Sequence, residues 1–400
     1  KKSQFNMTLD DAIKFILQTI GSNPVAETVP IEKSSRRFLA ERLSSNDDIP
    51  PFDNSQVDGY AVNTNHIQLN TPITISQRIP AGSNPYELEK STTARIFTGA
   101  VIPESSDAIV MQEEVKIENG QAVFVKKILP GQFIRKRGCD LKKNQIFFER
   151  GRLLSAADVG MCASVGLKNL QVFKKLKVGV FSSGDELKQP GEKLNAGEIY
   201  DSNRPMILSL IKALGIDTLD MGCLPDDLNQ TIKQIANASD KVDIILTCGG
   251  VSVGEEDHIK AAVETLGSIN LWKIKIKPGK PFAFGYIGKT AFMGMPGNPV
   301  SAWVTFALLC RPYIIKRAGG NVPGNSTLFL ESNFEWSKPN DRQEFLRGKI
   351  NEDGKLEIFK NQNSQILSSI CFSEGLIEIP TKTSVRKGDK LRYYPFSMIL

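Results

Sequence analysis

The stretch VDIILTCGGVSVGEEDH, residues 242–258, decides most about the fold of this chain of 400 residues. Its apolar run Ile244, Ile245 and Leu246 predicts a parallel strand that is buried on both faces. The glycines that follow let the backbone approach a bound anion closely. We expect Asp257 to begin the next helix, so that unpaired backbone N–H groups point at this turn while its acids handle a metal ion or a proton. A turn that binds no ligand fits the double glycine equally well.

A second turn with the features of an anion site is MGMPGNPVS, residues 293–301. Asn298 is a good N-cap, and Pro299 suits the first helical position, where a missing N–H costs nothing. The backbone N–H groups of the first helical turn should therefore be unpaired. The helix dipole stabilises an anion at such a position by about 0.3–1 kcal/mol.

A lysine-rich strand is predicted between these two turns. The alternation of WKIKIKPGKPF, residues 272–282, puts Lys273, Lys275 and Lys277 on one face of that strand. On an edge strand, Lys275 would be an ordinary solvated lysine. That interpretation fits Lys277 and Lys280 less well, because they flank a rigid Pro-Gly turn.

The composition excludes several chemistries. Two histidines, His66 and His258, are too few for a histidine-rich zinc site or a two-histidine relay. The six cysteines contain no CxxC pair, and the sequence shows no signal peptide or apolar segment of membrane length, so we expect reduced thiols in a cytoplasmic protein that binds no membrane. The net charge of +6 is mild, and neither a basic tract nor interleaved aromatic residues support nucleic-acid binding.

A chain of this length is expected to form two to four domains, and changes of periodicity along it predict an α/β plus β fold. Alternating strands and helices predict a doubly wound parallel sheet, whose ligands bind beyond the carboxyl ends of the strands. Short alternating strands between prolines and glycines predict the two β-rich regions, of which the C-terminal one should be a small barrel. The predicted domains are an N-terminal helical domain (1–45 with 141–175), a β-rich inserted domain (46–140), an α/β domain that contains the doubly wound sheet (176–320), and a C-terminal β-barrel (326–400).

Helix signals are clearest in the N-terminal domain. Thr8 is an N-cap for a predicted amphipathic helix over residues 8–20, and further helices are expected over 35–43 and 155–165.

Acids and hydroxyls recur at the predicted strand ends of the α/β domain. FSSGDE, residues 181–186, follows its first strand, and Asp226 follows the next. Asp227 is best explained as an N-cap. Glu186, Asp226 and Asp257 together indicate a hard cation such as magnesium, because carboxylate oxygens are its preferred protein ligands.

Six motifs follow one another along the chain: PFDNSQVDGYA (51–61), FTGA (97–100), SSGDEL (182–187), GGVSVG (249–254), KPGKP (277–281) and PGNP (296–299). Together they resemble the molybdopterin molybdotransferase family, which comprises bacterial MoeA and the gephyrin E-domain. The resemblance covers essentially the whole chain. It implies a four-domain, elongated homodimer that converts adenylylated molybdopterin and molybdate to molybdenum cofactor and AMP with magnesium. It also implies the molybdopterin adenylyltransferase and molybdoenzyme chaperones as protein partners.

The resemblance assigns roles to individual residues. Asp257, Asp226 and Glu186 would be catalytic and hold the metal and the pyrophosphate, while Ser252 and the glycine turn would hold the phosphate on the pterin side. The residues that resemble the oxyanion pocket of the family are Lys277, Lys280, Ser301, Arg347 and Ser364, the two lysines being catalytic. Further substrate-binding positions are Ser183, Gly249, Gly250, Gly254, Lys273, Pro296, Asn298 and Pro299.

In the family, Asp58 and Thr98 complete the site of the partner subunit. A turn would explain Asp58 equally well, because Asp-Gly is a common turn pair. Two positions depart from the family pattern: Asn363 stands where a glycine commonly precedes the serine, and Cys139 stands where an acid is usual.

Two other functions are compatible with parts of the chain. A nucleotidyltransferase or deamidase built on the same α/β domain leaves the inserted and C-terminal domains unexplained. A non-catalytic scaffold is the second, since the family includes a receptor-clustering protein, but the acids and cations named above argue against it. A P-loop kinase is excluded, because Gly279-Lys280 is followed by Pro281.

Overall fold

The structure is a computed structural model that describes residues 6–21, 24–251, 258–322, 327–337 and 339–399. The helices are α1 (Leu9–Gln18), α2 (Ala156–Ser164), α3 (Asn203–Ala213), α4 (Leu228–Ser239), α5 (His258–Leu266), α6 (Pro299–Thr305), α7 (Arg311–Arg317), α8 (Ser368–Cys371) and α9 (Phe396–Ile399), with 3-10 turns at Ile31–Lys33 and Gln112–Glu114 and a π-helical turn at Phe306–Cys310.

The strands are β1 (Asn6–Met7), β2 (Ala26–Pro30), β3 (Leu43–Ser44), β4 (Asn54–Ser55), β5 (Gly59–Val62), β6 (Pro72–Ile79), β7 (Thr92–Ile96), β8 (Ala108–Met111), β9 (Val115–Glu118), β10 (Gln121–Phe124), β11 (Ile134–Arg135), β12 (Ile146–Phe148), β13 (Asn169–Phe173), β14 (Lys177–Ser183), β15 (Leu187–Lys188), β16 (Ile199–Tyr200), β17 (Asp217–Leu224), β18 (Ile244–Cys248), β19 (Ser268–Ile274), β20 (Ile276–Lys277), β21 (Pro281–Ile287), β22 (Thr290–Met295), β23 (Leu328–Glu331), β24 (Gln343–Ile350), β25 (Leu356–Ile358), β26 (Gly375–Ile379) and β27 (Lys390–Pro395).

Packing divides the chain into two compact units. The first comprises residues 1–40, 150–155 and 170–400, and the second comprises 41–149 and 156–169. The finer division into four domains stays a prediction.

The larger sheet of the first unit has the strand order β1-β19-β21-β22-β18-β14-β17. β18, which contains the apolar run Ile244, Ile245 and Leu246, lies between β14 and β22 and is parallel to both. β21 is antiparallel to β19 and β22, so the prediction of a parallel sheet is wrong for this part, and the sheet is mixed. The reason is the connection from β21 to β22, a tight turn at Gly288 that is far too short for a parallel crossover.

Helices cover both faces of this sheet. Ile244 and Leu246 of β18 lie in a core that also contains apolar residues of α3, α6 and α7. Ile245, on the opposite face, packs with residues of α4 and α5. The carboxyl ends of β14, β18 and β22 therefore lie side by side at one edge, as predicted for a ligand site. The more specific description as doubly wound stays a prediction.

The lysine-rich strand predicted at 272–282 is interrupted. β19 ends at Ile274 in the larger sheet, and after the exposed Lys275 the chain forms β20, which pairs in parallel with β24 of another sheet. The prediction of a single strand with three lysines on one face is therefore wrong, because two sheets divide the segment between them.

That second sheet has the order β20-β24-β26-β27-β23, and β25 pairs with β24. Its apolar core includes Phe334, Leu346, Ile377 and Tyr393. A bridge between Ser332 and Leu356 brings the end of β23 against β25, so the sheet curls on itself. The closed small barrel stays a prediction.

The second unit contains a sheet of order β8-β5-β7-β6-β10-β9 and helix α2. Its apolar core includes Ala61, Ile79, Ile96 and Ile109. This is the β-rich region predicted from short strands between turns.

The predicted helix ends are confirmed where a side chain supplies a cap. Thr8 accepts from the Asp11 N–H at the start of α1, and Asp227 accepts from the Gln230 N–H at the start of α4. The helix predicted over 35–43 is wrong. Arg36 has a left-handed backbone with φ of 60°, and its N–H donates to the Leu154 carbonyl, so this segment pairs with distant chain instead. In the part of the chain that is described, no helix combines the length and apolarity needed to cross a bilayer.

Candidate functional site

A cleft of about 1160 Å³ in the first unit runs from the carboxyl ends of β14, β18 and β22 to the C-terminal sheet. Most of the predicted site residues that the structure describes line it. They are Ser183, Glu186, Gly249, Gly250, Lys277, Lys280, Pro296, Asn298, Pro299, Ser301, Arg347 and Ser364. We call the part near β14 and β18 the glycine end, and the part near β20 and β24 the cationic end.

At the glycine end, the turn after β18 packs tightly on the end of β14. Gly249 has φ of +95°, and a Cβ atom there would lie 2.9 Å from the Ser183 carbonyl oxygen. Gly250 has φ of +65°, and its Cβ would overlap the Ile259 side chain. Only glycine fits both positions without strain. The backbone here is consequently open to the cleft, with the Glu186 carboxylate on the same wall.

The turn before α6 differs from its prediction. The Asn298 side chain makes no capping bond; its Nδ2 donates to Ser364 Oγ at 3.2 Å. The Val300 N–H donates to the Ser364 carbonyl at 3.1 Å. The expectation that all N–H groups of this helical turn are unpaired is therefore wrong, because the segment containing Ser364 lies against the turn and accepts one of them.

The cationic end contains a buried ion pair. Lys277 and Glu344 are register partners in β20 and β24, and Lys277 Nζ lies 2.6 Å from Glu344 Oε1. Glu344 is only 2% exposed, whereas the lysine side chain is 44% exposed. The second oxygen, Oε2, accepts a hydrogen bond of 2.8 Å from Trp336 Nε1. Glu344 and Trp336 both line the cleft, and the family motifs did not point to either of them.

Arg347 of β24 is a buried cation at the same end. Its guanidinium donates to Ser369 Oγ at 3.1 Å and to the carbonyls of Phe345 and Asn363 at 3.1 and 3.4 Å. Within the described residues it has no carboxylate partner in ion-pair contact. Burial lowers the pKa of Arg347 to about 10, and the nearby charge of Glu344 offsets only part of this shift. Asn363, the departure from the family pattern, thus helps to hold the arginine through its backbone.

Arg204 of α3 supports the glycine end, and it was missed by the sequence interpretation. It is 3% exposed and donates to Ser182 Oγ at 2.9 Å. Carboxylate oxygens of Asp201 and Asp220 lie 3.2 and 2.9 Å from its nitrogens. These contacts tie the start of α3 to the end of β14, next to Ser183. The signal was present in the string DSNR at 201–204, which reads equally well as an ordinary helix start.

Several predicted residues are not in the cleft. Asp226 does not line it; its Oδ1 lies 3.2 Å from His258 Nε2. Lys273 lies in β19 and does not line it either. Asp58 and Thr98 belong to the second unit. Asp257, Ser252 and Gly254 lie outside the described residues.

In the second unit, Asp58 and Thr98 contact each other. The backbone N–H and the hydroxyl of Thr98 both donate to Asp58 Oδ1 at 2.8 Å. These bonds, led by the one from the backbone, lower the pKa of Asp58. The aspartate is therefore an ionised acceptor with a defined orientation.

The described residues contain no cluster of three or more acids, histidines or cysteines that could hold a metal ion. Of the predicted magnesium ligands, Glu186 borders the cleft and Asp226 lies outside it. Oxygen donors are the chemistry that magnesium prefers. Glu186 is thus the one carboxylate of the predicted magnesium set that the described residues place at the cleft, where it could supply a single ligand.

Comparison with known proteins gives consistent matches along the chain. Family models match residues 7–166 (MoeA N-terminal region, domain I and II), 179–316 (probable molybdopterin binding domain) and 330–396 (MoeA C-terminal region, domain IV). A Haemophilus influenzae protein named molybdopterin molybdenumtransferase is 37% identical over 98% of this chain and 100% of its own length. A protein of the same name from Nostoc sp. is 32% identical over 91% of this chain and 87% of its own.

A solved structure shares the fold of the chain. The molybdopterin biosynthesis MoeA protein of Pyrococcus horikoshii OT3 aligns with a TM-score of 0.82 and 29% identity. The alignment covers 97% of this chain and 99% of that protein.

Proposed function

The chain belongs to the molybdopterin molybdenumtransferase family, and we propose that its cleft takes adenylylated molybdopterin and molybdate and releases molybdenum cofactor and AMP. The enzyme is a transferase that inserts molybdenum into molybdopterin, as its relatives are named. The substrates and the products in this form are the proposal.

One observation supports this proposal above all: the guanidinium of Arg347 is buried beside the cleft, and none of the described carboxylates forms an ion pair with it. Burial lowers the pKa of Arg347 to about 10, and the charge of Glu344 offsets only part of this effect. A doubly charged oxyanion bound in the cleft would offset it, with Lys277 and Lys280 as further cations on the same wall. Molybdate is an anion of this kind, and we place it at the cationic end with Ser301 and Ser364.

The glycine end suits the phosphate groups of the adenylylated pterin. Its backbone is open because Gly249 and Gly250 carry no side chains, and Ser183 and the helical segment after Pro299 complete the wall. The two substrates would then occupy neighbouring parts of one cleft. Catalysis in this arrangement comes from positioning and from preorganised charge, which stabilise the pyrophosphate as it is cleaved.

Magnesium is proposed as the cofactor. When bound, it would offset negative charge on the pyrophosphate. Glu186 is the described carboxylate that lines the cleft, and Asp226 and Asp257 are the further candidates that the resemblance implies. Calorimetry with magnesium alone, on the unaltered protein and on Glu186→Gln, tests the assignment without turnover; equal affinities would contradict it.

The test of the function is AMP release. Purified protein is mixed with adenylylated molybdopterin and magnesium, and AMP is measured as molybdate is titrated. We expect AMP release that rises with molybdate and saturates. AMP release that does not depend on the molybdate concentration would mean simple hydrolysis and would overturn the proposal.

We also propose a homodimer in which Asp58 and Thr98 complete the site of the partner. Their fixed, ionised arrangement is more than a turn requires, and neither lines the cleft of the first unit. Mixing Asp58→Ala with Arg347→Ala chains should give heterodimers with one intact site, and about a quarter of the unaltered activity for random exchange in a two-fold dimer. No recovery after demonstrated exchange would place the complete site within one chain.

A further inference from the structure

The buried Glu344 is an unexpected residue in a site proposed for an anion. A carboxylate is an acceptor without a proton to donate, and it repels a bound anion. Glu344 nevertheless lies in the wall of the cationic end, 2% exposed. Its two oxygens have different neighbours: Oε1 is in an ion pair with Lys277 Nζ at 2.6 Å, and Oε2 accepts a hydrogen bond of 2.8 Å from Trp336 Nε1.

The indole that covers Oε2 is fixed by the backbone. Trp336 exchanges two hydrogen bonds of 2.9 Å with Val385, its partner in an isolated bridge. The Nε1–H therefore keeps its place over the carboxylate. Another acceptor nearby is also occupied, since Ser364 Oγ accepts from Asn298 Nδ2. An anion in this part of the cleft thus meets cations and donors, while the strongest acceptor is masked.

A site whose acceptors are already hydrogen-bonded favours tetrahedral anions that carry no proton over those that keep an O–H group. Molybdate and sulfate carry no proton at neutral pH, so they need only donors around them. Hydrogen phosphate has the same shape as sulfate but keeps at least one O–H, which must find an acceptor. A buried O–H left without one weakens binding by about tenfold or more. A free carboxylate oxygen would be the natural partner for that O–H.

The geometry points to Trp336 and Glu344 as specificity-determining residues: together they make the cleft select a fully ionised tetrahedral dianion over hydrogen phosphate. Glu344 holds Lys277 in place, and Trp336 prevents the same carboxylate from accepting the proton of a phosphate. This inference rests on the proposed function, which places an oxyanion at the cationic end.

The experiment compares sulfate with phosphate, because the two anions differ little in size and chiefly in the proton. Each is titrated at pH 7 as a competitor of molybdate on the full chain and on Trp336→Phe, which lacks the N–H donor. For the unaltered protein we expect sulfate to compete at least about tenfold better than phosphate. In Trp336→Phe the ratio should fall by about tenfold, because Glu344 Oε2 becomes available.

Two further variants separate this effect from a change of packing. Trp336→Gln keeps an N–H donor in place of the indole and should restore most of the discrimination. Glu331→Gln removes a carboxylate of the same sheet that is paired with Lys355 at 3.1 Å and does not line the cleft, so it should leave the ratio unchanged. Thermal unfolding of each variant shows that it is folded.

The outcomes also separate this inference from the proposed function. If molybdate binds and drives AMP release but the ratio of sulfate to phosphate is the same in Trp336→Phe, only the selectivity inference is overturned. If Trp336→Gln loses discrimination as fully as Trp336→Phe, the N–H is not the cause and the inference also fails. If molybdate does not bind to the unaltered protein, the proposed function fails, and the inference fails with it.

Discussion

The two ends of the cleft are built in different ways. The glycine end is made of turns after parallel strands, and it is open because side chains are absent at Gly249 and Gly250. The cationic end is made of side chains from paired strands, Lys277, Glu344 and Arg347, that are held by buried contacts. One end thus offers backbone and space, while the other offers charge. The comparison suggests that the glycine end recognises a large substrate by shape and the cationic end a small one by charge.

The largest effect that would test this contrast is expected for Arg347→Ala. Loss of a preorganised charge at the reacting groups should lower molybdate-dependent AMP release by about 10²-fold or more. The affinity for adenylylated molybdopterin should change little, because that substrate is assigned to the other end. Titration of each ligand against the variant measures the two effects separately.

The matched control is Arg392→Ala, an arginine of the same sheet that lies 3.5 Å from Glu378 and does not line the cleft. It should retain full activity. Equal weakening of both ligands by Arg347→Ala would remove the distinction between the two ends.

A smaller effect with the opposite pattern is expected for Glu186→Gln at the glycine end. AMP release should fall by about tenfold, because the magnesium ion at the pyrophosphate would lose one charged ligand while the other contacts of the pyrophosphate remain. The concentration of molybdate that gives half the maximal rate should stay the same. Kinetics at several magnesium concentrations would show whether more metal compensates for the change.

The neighbouring Asp185→Asn is the control for that substitution, since Asp185 does not line the cleft. A raised molybdate requirement in Glu186→Gln, absent from Asp185→Asn, would contradict the separation of the ends.

The last expected effect is on stability, and we expect it to leave the chemistry of the site itself unchanged. Gly249→Ala forces a side chain into φ of +95° and places Cβ 2.9 Å from the Ser183 carbonyl oxygen, so the free energy of unfolding should fall by about 1–3 kcal/mol. Gly297→Ala is the control, because its nearest neighbour would be Gly249 Cα at 3.7 Å. Urea denaturation of both variants measures the difference. Equal free energies of unfolding would mean that the turn relaxes to accept a Cβ atom at position 249, so that glycine is not required there.

The sequence predicts the glycine end better than the cationic end, and the reason is the range of the interactions. The turn after β18 follows from local signals: an apolar run, two glycines and a helix. The pairing of Lys277 with Glu344 depends on which strands become neighbours, and no periodicity encodes it. The family resemblance pointed to Lys277 and Arg347, but it did not indicate Glu344 or Trp336.

The errors in the predicted fold have the same origin. The segment 35–43 has the composition of a helix, but its backbone bonds to residues around Leu154, and Arg36 adopts a positive φ to allow this. The expectation of a wholly parallel sheet failed at β21, because an alternation of strands and helices does not show which way each strand runs.

The short strand β20 bears on how separable the parts of this protein are. It follows β19 of the α/β sheet after a single residue, yet it is an edge strand of the C-terminal sheet, where it pairs with β24. Removing the C-terminal region would leave the backbone of Ile276 and Lys277 without this partner and would take Phe345 and Leu376 out of the apolar core that they share with the α/β sheet. The C-terminal sheet is therefore not a detachable module. A different C-terminal domain could replace it in evolution only if that domain also offered a strand with which β20 can pair.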